Sequence, residues 1–585
     1  MKAPMKPGTR FETSMRILSA IVPAIVAAFG AQTAPAAAHD EGVVRTVGLG
    51  FTGITHALDA IVAAPALLLP FGTRALRAGL ASAFVTGACG VVAFDLALAF
   101  VTLGLAQTKS SRKLLAAVAA VVVLSALSSP PWQIEGSAPG GAVTGAFLVL
   151  FVLRIAREDR LHALLAFALG LALSYEPMLG FSAIAGAVVL GAKWPPRESV
   201  ARSAIAFALG LLPLAFGFLL SRRSPELVLD VPLFSFVERG DALSPRAFAR
   251  EEIGIVLGLA IVAGAVLAFL ARPARRALLG LLAVVLVGLL AIMLRMPAGT
   301  SRVAAPILAA LVAAHVIAAV ALGAAVIAIS RAKVPFAEAS AALVVVLELV
   351  LPVRALDDTA TRRESRAPRA APIWNDIAWE GAPPGALLLV SDRTTMRRIT
   401  AANATGEMRA DLLVVPSFDL HGRLATRALV QEPKLAPLYR DVALGLPPEE
   451  LSFGEISTQR AVLVTFHPKW DRALARHLVP VGLTARFEPE PRGASDRKKA
   501  LDAFAPAKDR LVRVTVARRD PELAAVTAKL LRARAIAMAA TGEKEMLARA
   551  LDDLRAFAPD DPVGTTLVRR TVTTKGPIDV RDLQL

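Results

Sequence analysis

The chain has 585 residues, 55% of them hydrophobic, with one cysteine, seven histidines and a formal net charge of +17. A single thiol excludes an intrachain disulfide, and no two histidines stand at the HExxH-type spacing of a zinc enzyme. A soluble protein this basic would point first to nucleic acid. Here many Lys and Arg residues lie in short loops between long apolar runs, where membrane topology and anionic headgroups account for them, and nucleic acid is set aside as a partner.

The apolar runs are rich in Ala, Leu and Val and nearly free of charge, as bilayer-spanning helices require. They stop near Ala355. Beyond that point mixed charges, prolines and short alternating runs describe an ordinary soluble domain. The expected architecture is a polytopic α-helical membrane protein of about eleven spans with a C-terminal extracytoplasmic α/β domain. Its parts are a membrane domain over 1–355, an Arg/Ala/Pro linker over 356–372 and the outer domain over 373–585.

In chain order, Lys2, Lys6, Arg10 and Arg16 precede an apolar run from Ile17 to Ala38. Its end, Ala34-Pro35-Ala36-Ala37-Ala38, resembles a signal-peptidase site, so the run is either a cleaved signal or a first span. We adopt the uncleaved span. Both alternatives leave the basic flank in the cytoplasm and put His39, Asp40 and Glu41 outside. From Gly48 to Phe71 the apolar pattern is broken by Gly53, His56, Asp59, Pro65 and Pro70. An Asp and a His are costly at a bilayer centre, so this stretch is expected to be an external, membrane-skimming helical hairpin within an outer loop over 38–76.

The expected spans then run Arg77–Ala106, Leu114–Leu127, Gly141–Leu153, Leu161–Leu173, Phe181–Ala192, Ala204–Leu220, Ile253–Ala271, Leu278–Leu294, Val303–Ile329 and Phe336–Val353. With the N-terminus inside, the inner loops hold Lys109, Arg112 and Lys113; Arg154, Arg157 and Arg160; Lys193, Arg197 and Arg202; Arg272, Arg275 and Arg276; and Arg331 and Lys333. Two alternate loops, 128–140 and 174–180, carry no Lys or Arg. A second outer loop over 221–252 contains Arg222 and Arg223 against that trend; snorkelling to lipid phosphates is their plainer reading. In the outer domain Gly385–Val390, Asp411–Val415 and Arg460–Phe466 read as strands and Asp471–Leu478 as a helix. From Pro521 to Ala558 the pattern resembles one or two tetratricopeptide-like helix pairs.

Asp40 and Glu41 lead the candidates for chemistry. A carboxylate at the membrane surface can take a proton from a hydroxyl acceptor held against it, and His39 stands beside the pair to tune it or to help hold a metal ion. The plainer alternative is a solvated cap between two apolar elements. Glu176, followed by Pro177 at the outer end of a span, could line the same cavity or serve as an interfacial cap. Asp95, His315, Glu338 and Glu348 fall in or near spans and would suit an ion transporter. The outer domain has no GxSxG elbow, P-loop or GxGxxG turn; Ser391-Asp392-Arg393 follows a strand and reads as a strand-ending turn.

Asp40-Glu41-Gly42-Val43, then Leu49-Gly50 and His56, then Leu69-Pro70 with Arg74 or Arg77, come in the order of a known pattern. So do Gly170–Ser174 before Glu176, Leu209–Pro213 with Arg222-Arg223-Ser224-Pro225, Pro384–Leu388 through Asp392, Arg409–Val415, and Arg460–Phe466 with Leu478–Leu483. The chain resembles bacterial membrane glycosyltransferases of the GT-C superfamily related to protein O-mannosyltransferases. It departs from them at Val43, where the family has Glu, at Ala57–Ile61, where a Pro-Pro-Gly-Tyr-Pro run is replaced, and at Glu176, where the family has His; it reads as a divergent member. The resemblance implies sugar transfer from a polyprenyl-phosphate donor to a hydroxyl acceptor, on protein or glycan, at the outer face of a bacterial inner membrane. It implies Asp40 as base with Glu41 a secondary acid, and Arg222 or Arg223 on the leaving phosphate. His39, His56, Arg74, Arg77 and Glu176 would line the substrate site. Cofactors stay open, a divalent metal ion included. A non-catalytic scaffold of envelope assembly and a transporter are the alternatives.

Overall fold

The computed structural model describes residues 9–33, 40–48, 56–105, 109–156, 158, 161–192, 195–221, 249–293, 301–332, 336–365, 370–418, 423–444, 446, 448–516, 521–574 and 576–583. The chain divides into two compact units, a helical one that takes in most of the chain to Glu364 and an α/β one from Ser365 onward.

The helical unit is that of a polytopic membrane protein. Among the described residues seven helices are long and apolar enough to cross a bilayer, including Arg10–Ala31, Arg74–Gly104, Ala305–Ser330 and Ala337–Ala360. Four further apolar helices, Val143–Ile155, His162–Tyr175, Pro177–Val189 and Gly254–Leu270, stand where the remaining spans are expected. At 1.5 Å per residue the first rises only about 20 Å, short of a ~30 Å hydrocarbon core. It is buried by its neighbours along most of its length.

We label the first elements α1 (Arg10–Thr33), α2 (Asp40–Thr46), α3 (Ala57–Leu67), α4 (Arg74–Gly104), α5 (Lys109–Ser128), α6 (Pro130–Ser137), α7 (Val143–Ile155), α8 (His162–Tyr175), α9 (Pro177–Val189), α10 (Arg197–Gly210) and α11 (Leu212–Ser221). The first apolar run is part of the bundle: α1 packs along α4. A Cβ on Gly90 would lie 2.0 Å from the Ser19 carbonyl oxygen, and one on Gly79 2.8 Å from the Ala31 Cβ. Small residues let helices approach closely where apolar burial gives no advantage over lipid. The same device joins α8 to α10, where a Cβ on Gly170 or on Gly210 would come within 2.4 Å of a carbonyl on the other helix. The matching glycine segments of the sequence pattern are therefore packing contacts here.

Lipid-facing surfaces stay apolar. On Gly254–Leu270, Ile255, Leu259, Val262 and Val266 form one exposed stripe at helical spacing, while Leu257, Gly264 and Ala268 face inward. The last helix of the bundle, Val350–Ser365, runs on into the segment expected as linker.

In the α/β unit, β1 (Leu387–Val390), β2 (Leu413–Pro416), β3 (Val462–Val464), β4 (Leu478–Val481) and β5 (Thr484–Phe487) form one sheet in the order β2-β1-β3-β5-β4. β1 pairs parallel with both β2 and β3, and all four of its residues are buried, as a central strand covered on both faces demands. β5 runs antiparallel to β3 and to β4. The expected helix Asp471–Leu478 is corrected: only Arg472–Ala475 is helical, and Leu478 opens β4, where it is fully buried opposite Phe487. The pattern expected to be helical from Pro521 to Ala558 is helical. The helices Pro521–Thr541, Lys544–Arg555 and Pro562–Thr573 join the sheet's own core, with Ala535–Ala540 buried alongside Leu387, Val415 and Val462.

Candidate functional site

One end of the helical unit gathers α2, α3, the turn after α6 and the α8–α9 junction. Pro177 sets that junction. It starts α9 at a position where a missing N–H costs nothing and holds Glu176 extended, at φ −160° and ψ 131°. The chain reverses there, and the junction's last α8 residue, Tyr175, meets α3. The His56 backbone N–H donates to the Tyr175 carbonyl at 3.1 Å, and the two rings meet edge to face at 4.3 Å. His56 has φ 63°, a left-handed conformation unusual for a side chain with a Cβ, and turns the chain sharply into α3.

At the centre lies Asp59, fully enclosed. Arg45 Nη2, from the last turn of α2, donates to Asp59 Oδ2 at 3.3 Å, and the Tyr175 hydroxyl donates to the same oxygen at 3.3 Å. Thr144 at the start of α7 faces the same carboxylate, and His56 Nδ1 stands 3.8 Å away. Burial pushes the Asp59 carboxyl up to about 7, while the Arg45 charge and the hydroxyl donors pull it down. Within the stretch expected to skim the membrane, the described residues form an 11-residue helix, Ala57–Leu67, with His56 and Asp59 buried in protein. Arg45 and Tyr175 supply the partners that make an Asp tolerable there.

Helix α2 docks by close backbone contact. A Cβ on Gly42 would lie 2.2 Å from the Pro139 carbonyl oxygen, so only glycine fits. Glu135 Oε2 holds the facing turn by accepting from the Ala142 N–H at 2.9 Å.

Asp40 and Glu41 open helix α2, directly after the first span; their side chains lie outside the described residues. His39, Arg222 and Arg223 also lie outside the described residues. His56 and Glu176 are buried at the α3–α8 meeting. Arg77 caps α3, its Nη1 donating to the Leu67 carbonyl at 2.7 Å and to the Leu69 carbonyl. Arg74 is exposed at the start of α4. The structure therefore places His56 against Tyr175 and beside Asp59, with Glu176 next to Tyr175 at the α8–α9 junction. In the sequence Arg45 is one arginine among many, and Asp59 is only a break in an apolar run. The signal available was that an Asp in such a run needs a nearby cation, and Arg45 precedes it.

The ionisable groups in the spans are held differently. Asp95 is paired with Arg16 and lies 3.6 Å from Arg154 Nε, at the opposite end of the α1–α4 pair. Glu12 and Arg112 pair beside them at 2.7 Å. His315 Nδ1 bonds the Leu311 carbonyl of its own helix at 2.8 Å. Glu348 is buried, and its Oε2 has no partner among the described residues. In the α/β unit Asp392 caps a helix by accepting from the Thr395 N–H at 2.8 Å, and Ser391 bonds Thr465 across β1 and β3. Among the described residues no three His, Cys, Asp or Glu side chains gather as a metal-binding set.

No protein-family profile matches the chain, and no curated protein matches it in sequence. Among solved structures it is similar to ArnT from Cupriavidus metallidurans in the apo state, at 14% identity and a TM-score of 0.47, over 81% of this chain and 97% of that one. It is similar also to ArnT from the same organism bound to undecaprenyl phosphate, at 15% identity and a TM-score of 0.44, over 77% of this chain and 93% of that one. Likeness at this level carries no argument about chemistry.

Proposed function

We propose that the chain is a GT-C-type membrane glycosyltransferase that moves a sugar from a polyprenyl-phosphate donor to a hydroxyl acceptor on the outer face of the membrane. One observation carries the reading. The Asp40-Glu41-Gly42 motif follows the first span and heads a short helix whose backbone is docked, through Gly42, on the end of the bundle. In this reading the acceptor oxygen attacks the anomeric carbon, and the bond from that carbon to the phosphate oxygen breaks. The electron pair leaves with the polyprenyl phosphate, and Asp40 takes the acceptor's proton. Arg222 or Arg223 stabilises the charge that builds on the departing phosphate. Protein or glycan hydroxyls are the acceptors to try.

Purified protein in lipid nanodiscs, supplied with polyprenyl-phosphate sugars and hydroxyl acceptors, should release polyprenyl phosphate. Absence of release with every carrier would sink the reading. A reporter fused after Ala355 should be active only outside the cytoplasm; a cytoplasmic signal would put the proposed site on the wrong face.

A second reading, a non-catalytic scaffold, is favoured by Val43. It occupies the family's second acidic position and is buried. Full retention of envelope assembly by an Asp40→Asn strain would support it. Asp95 does not favour transport, since it is paired with Arg16 and lies 3.6 Å from Arg154 near the end of α4.

A further inference from the structure

We propose that Arg45, Asp59 and Tyr175 form a lock that fixes the orientation of helix α2, and that they are positioning residues for Asp40; the catalytic half of this proposal rests on the reading of Asp40 as base. Helix α2 has seven residues, far below the length at which a helix holds itself in water. Its placement is therefore decided by its ties. Gly42 gives one, a backbone contact with Pro139, and the buried Val43, Val44 and Val47 add non-directional apolar packing around it. Arg45 gives the directional tie, an ion pair three residues on. Asp59 Oδ2 receives both Arg45 and the Tyr175 hydroxyl, so one oxygen joins α2, α3 and α8. The groups facing that carboxylate are Arg45, Tyr175, Thr144 and His56, with Glu176 beside Tyr175. Arg45 is the one fixed cation among them, which gives the pair its direction. A rotation of α2 that moved its first turn would have to pull a buried guanidinium away from its carboxylate.

The test uses the full chain in nanodiscs on a Cys89→Ala background. A nitroxide is attached at Gly48→Cys, just past α2, and separately at Leu68→Cys, at the exposed end of α3, as control. Asp59→Asn and Arg45→Met should mobilise the label at 48 and leave that at 68 unchanged. They should also lower kcat at least about tenfold, with KM for the donor lipid within about twofold. Arg45→Lys should restore both readouts to within about threefold of the parent. Tyr175→Phe removes one hydroxyl and preserves packing, so it should give a smaller shift in the same direction if the charge variants fail to fold. An immobile label in monodisperse Asp59→Asn and Arg45→Met protein would overturn the lock. A mobilised label with undiminished turnover would overturn the positioning role. A mobilised label in a protein whose parent turns over no lipid-linked sugar would leave the lock standing and remove the transferase reading.

Discussion

Asp59 and Asp95 each meet arginine, at opposite ends of the same helical bundle, and the two ends handle charge differently. At the α1–α4–α7 end Asp95 is partly exposed, and its partners reach it from the rim, Arg16 with 45% of its side chain still accessible. Those pairs keep much of their solvent and headgroup screening, so each contributes little. At the α2–α3 end Arg45 and Asp59 are both 1% accessible. There the desolvation penalty is large, and it is offset by Arg45 and the Tyr175 hydroxyl, both on Oδ2, while Asp59 Oδ1 has no hydrogen-bond partner among the described residues. A polar centre this expensive adds little net stability but holds three segments in one arrangement. The rim pairs fasten helices; the buried pair orients one.

The contrast breaks most easily at Asp59. Asp59→Leu should cost about 3–5 kcal/mol, because it strands the Arg45 guanidinium in a closed site. Adding Arg45→Met should recover most of that loss. Thermal unfolding of the detergent-solubilised full chain reads both, and a double variant no better than the single would show that the penalty is cavity rather than charge. Next in size, Asp40→Asn should lower sugar transfer by about a hundredfold, close to 2.7 kcal/mol of transition-state stabilisation, while unfolding is unchanged. Steady-state release of polyprenyl phosphate measures it, and full retention would remove Asp40 as base.

At the rim, Asp95→Asn should cost about 1 kcal/mol or less by the same unfolding assay. A loss as large as that of Asp59→Leu would erase the distinction between the ends. The smallest effect lies in the α/β unit, where fragment 371–585 should unfold cooperatively on its own. His467 is half-buried, and its Nδ1 accepts from the Lys469 N–H at 3.2 Å. Burial, and then the Lys469 charge, hold its pKa below the ordinary 6.5. The unfolded chain therefore binds the proton more readily, so the neutral ring's contribution is present above pH 6.5 and lost as pH falls below it. His467→Gln should flatten that slope in urea melts between pH 7 and 5, and an unchanged slope would assign it elsewhere.

Much of the bundle was legible in the residues. Uncharged Ala/Leu/Val runs have one solution in a bilayer, and every expected span has a helix. Strands β1, β2 and β3 were legible for the same reason on a smaller scale, since short buried parallel strands are continuous apolar runs. The failures were local. The segment 471–478 has helical composition, yet Leu478 pairs with Phe487 in an edge hairpin, and tertiary pairing outweighs propensity in so short a stretch. Of the candidate site, Asp40 and Glu41 were legible as a motif and His56 and Glu176 as polar breaks. What they belong to was not.

Alone, the sequence determined that this chain crosses a membrane repeatedly and ends in an α/β domain, because hydropathy is a property of each segment by itself. Only the tertiary structure decided that the apolar stretch after α2 carries a closed Arg45–Asp59–Tyr175 centre. Tyr175 reaches Asp59 from 116 residues away, and Gly42 matters because Pro139 lies against it. A partner that distant leaves no periodicity or spacing to read: whether a buried carboxylate is paired is a fact about two segments folded together.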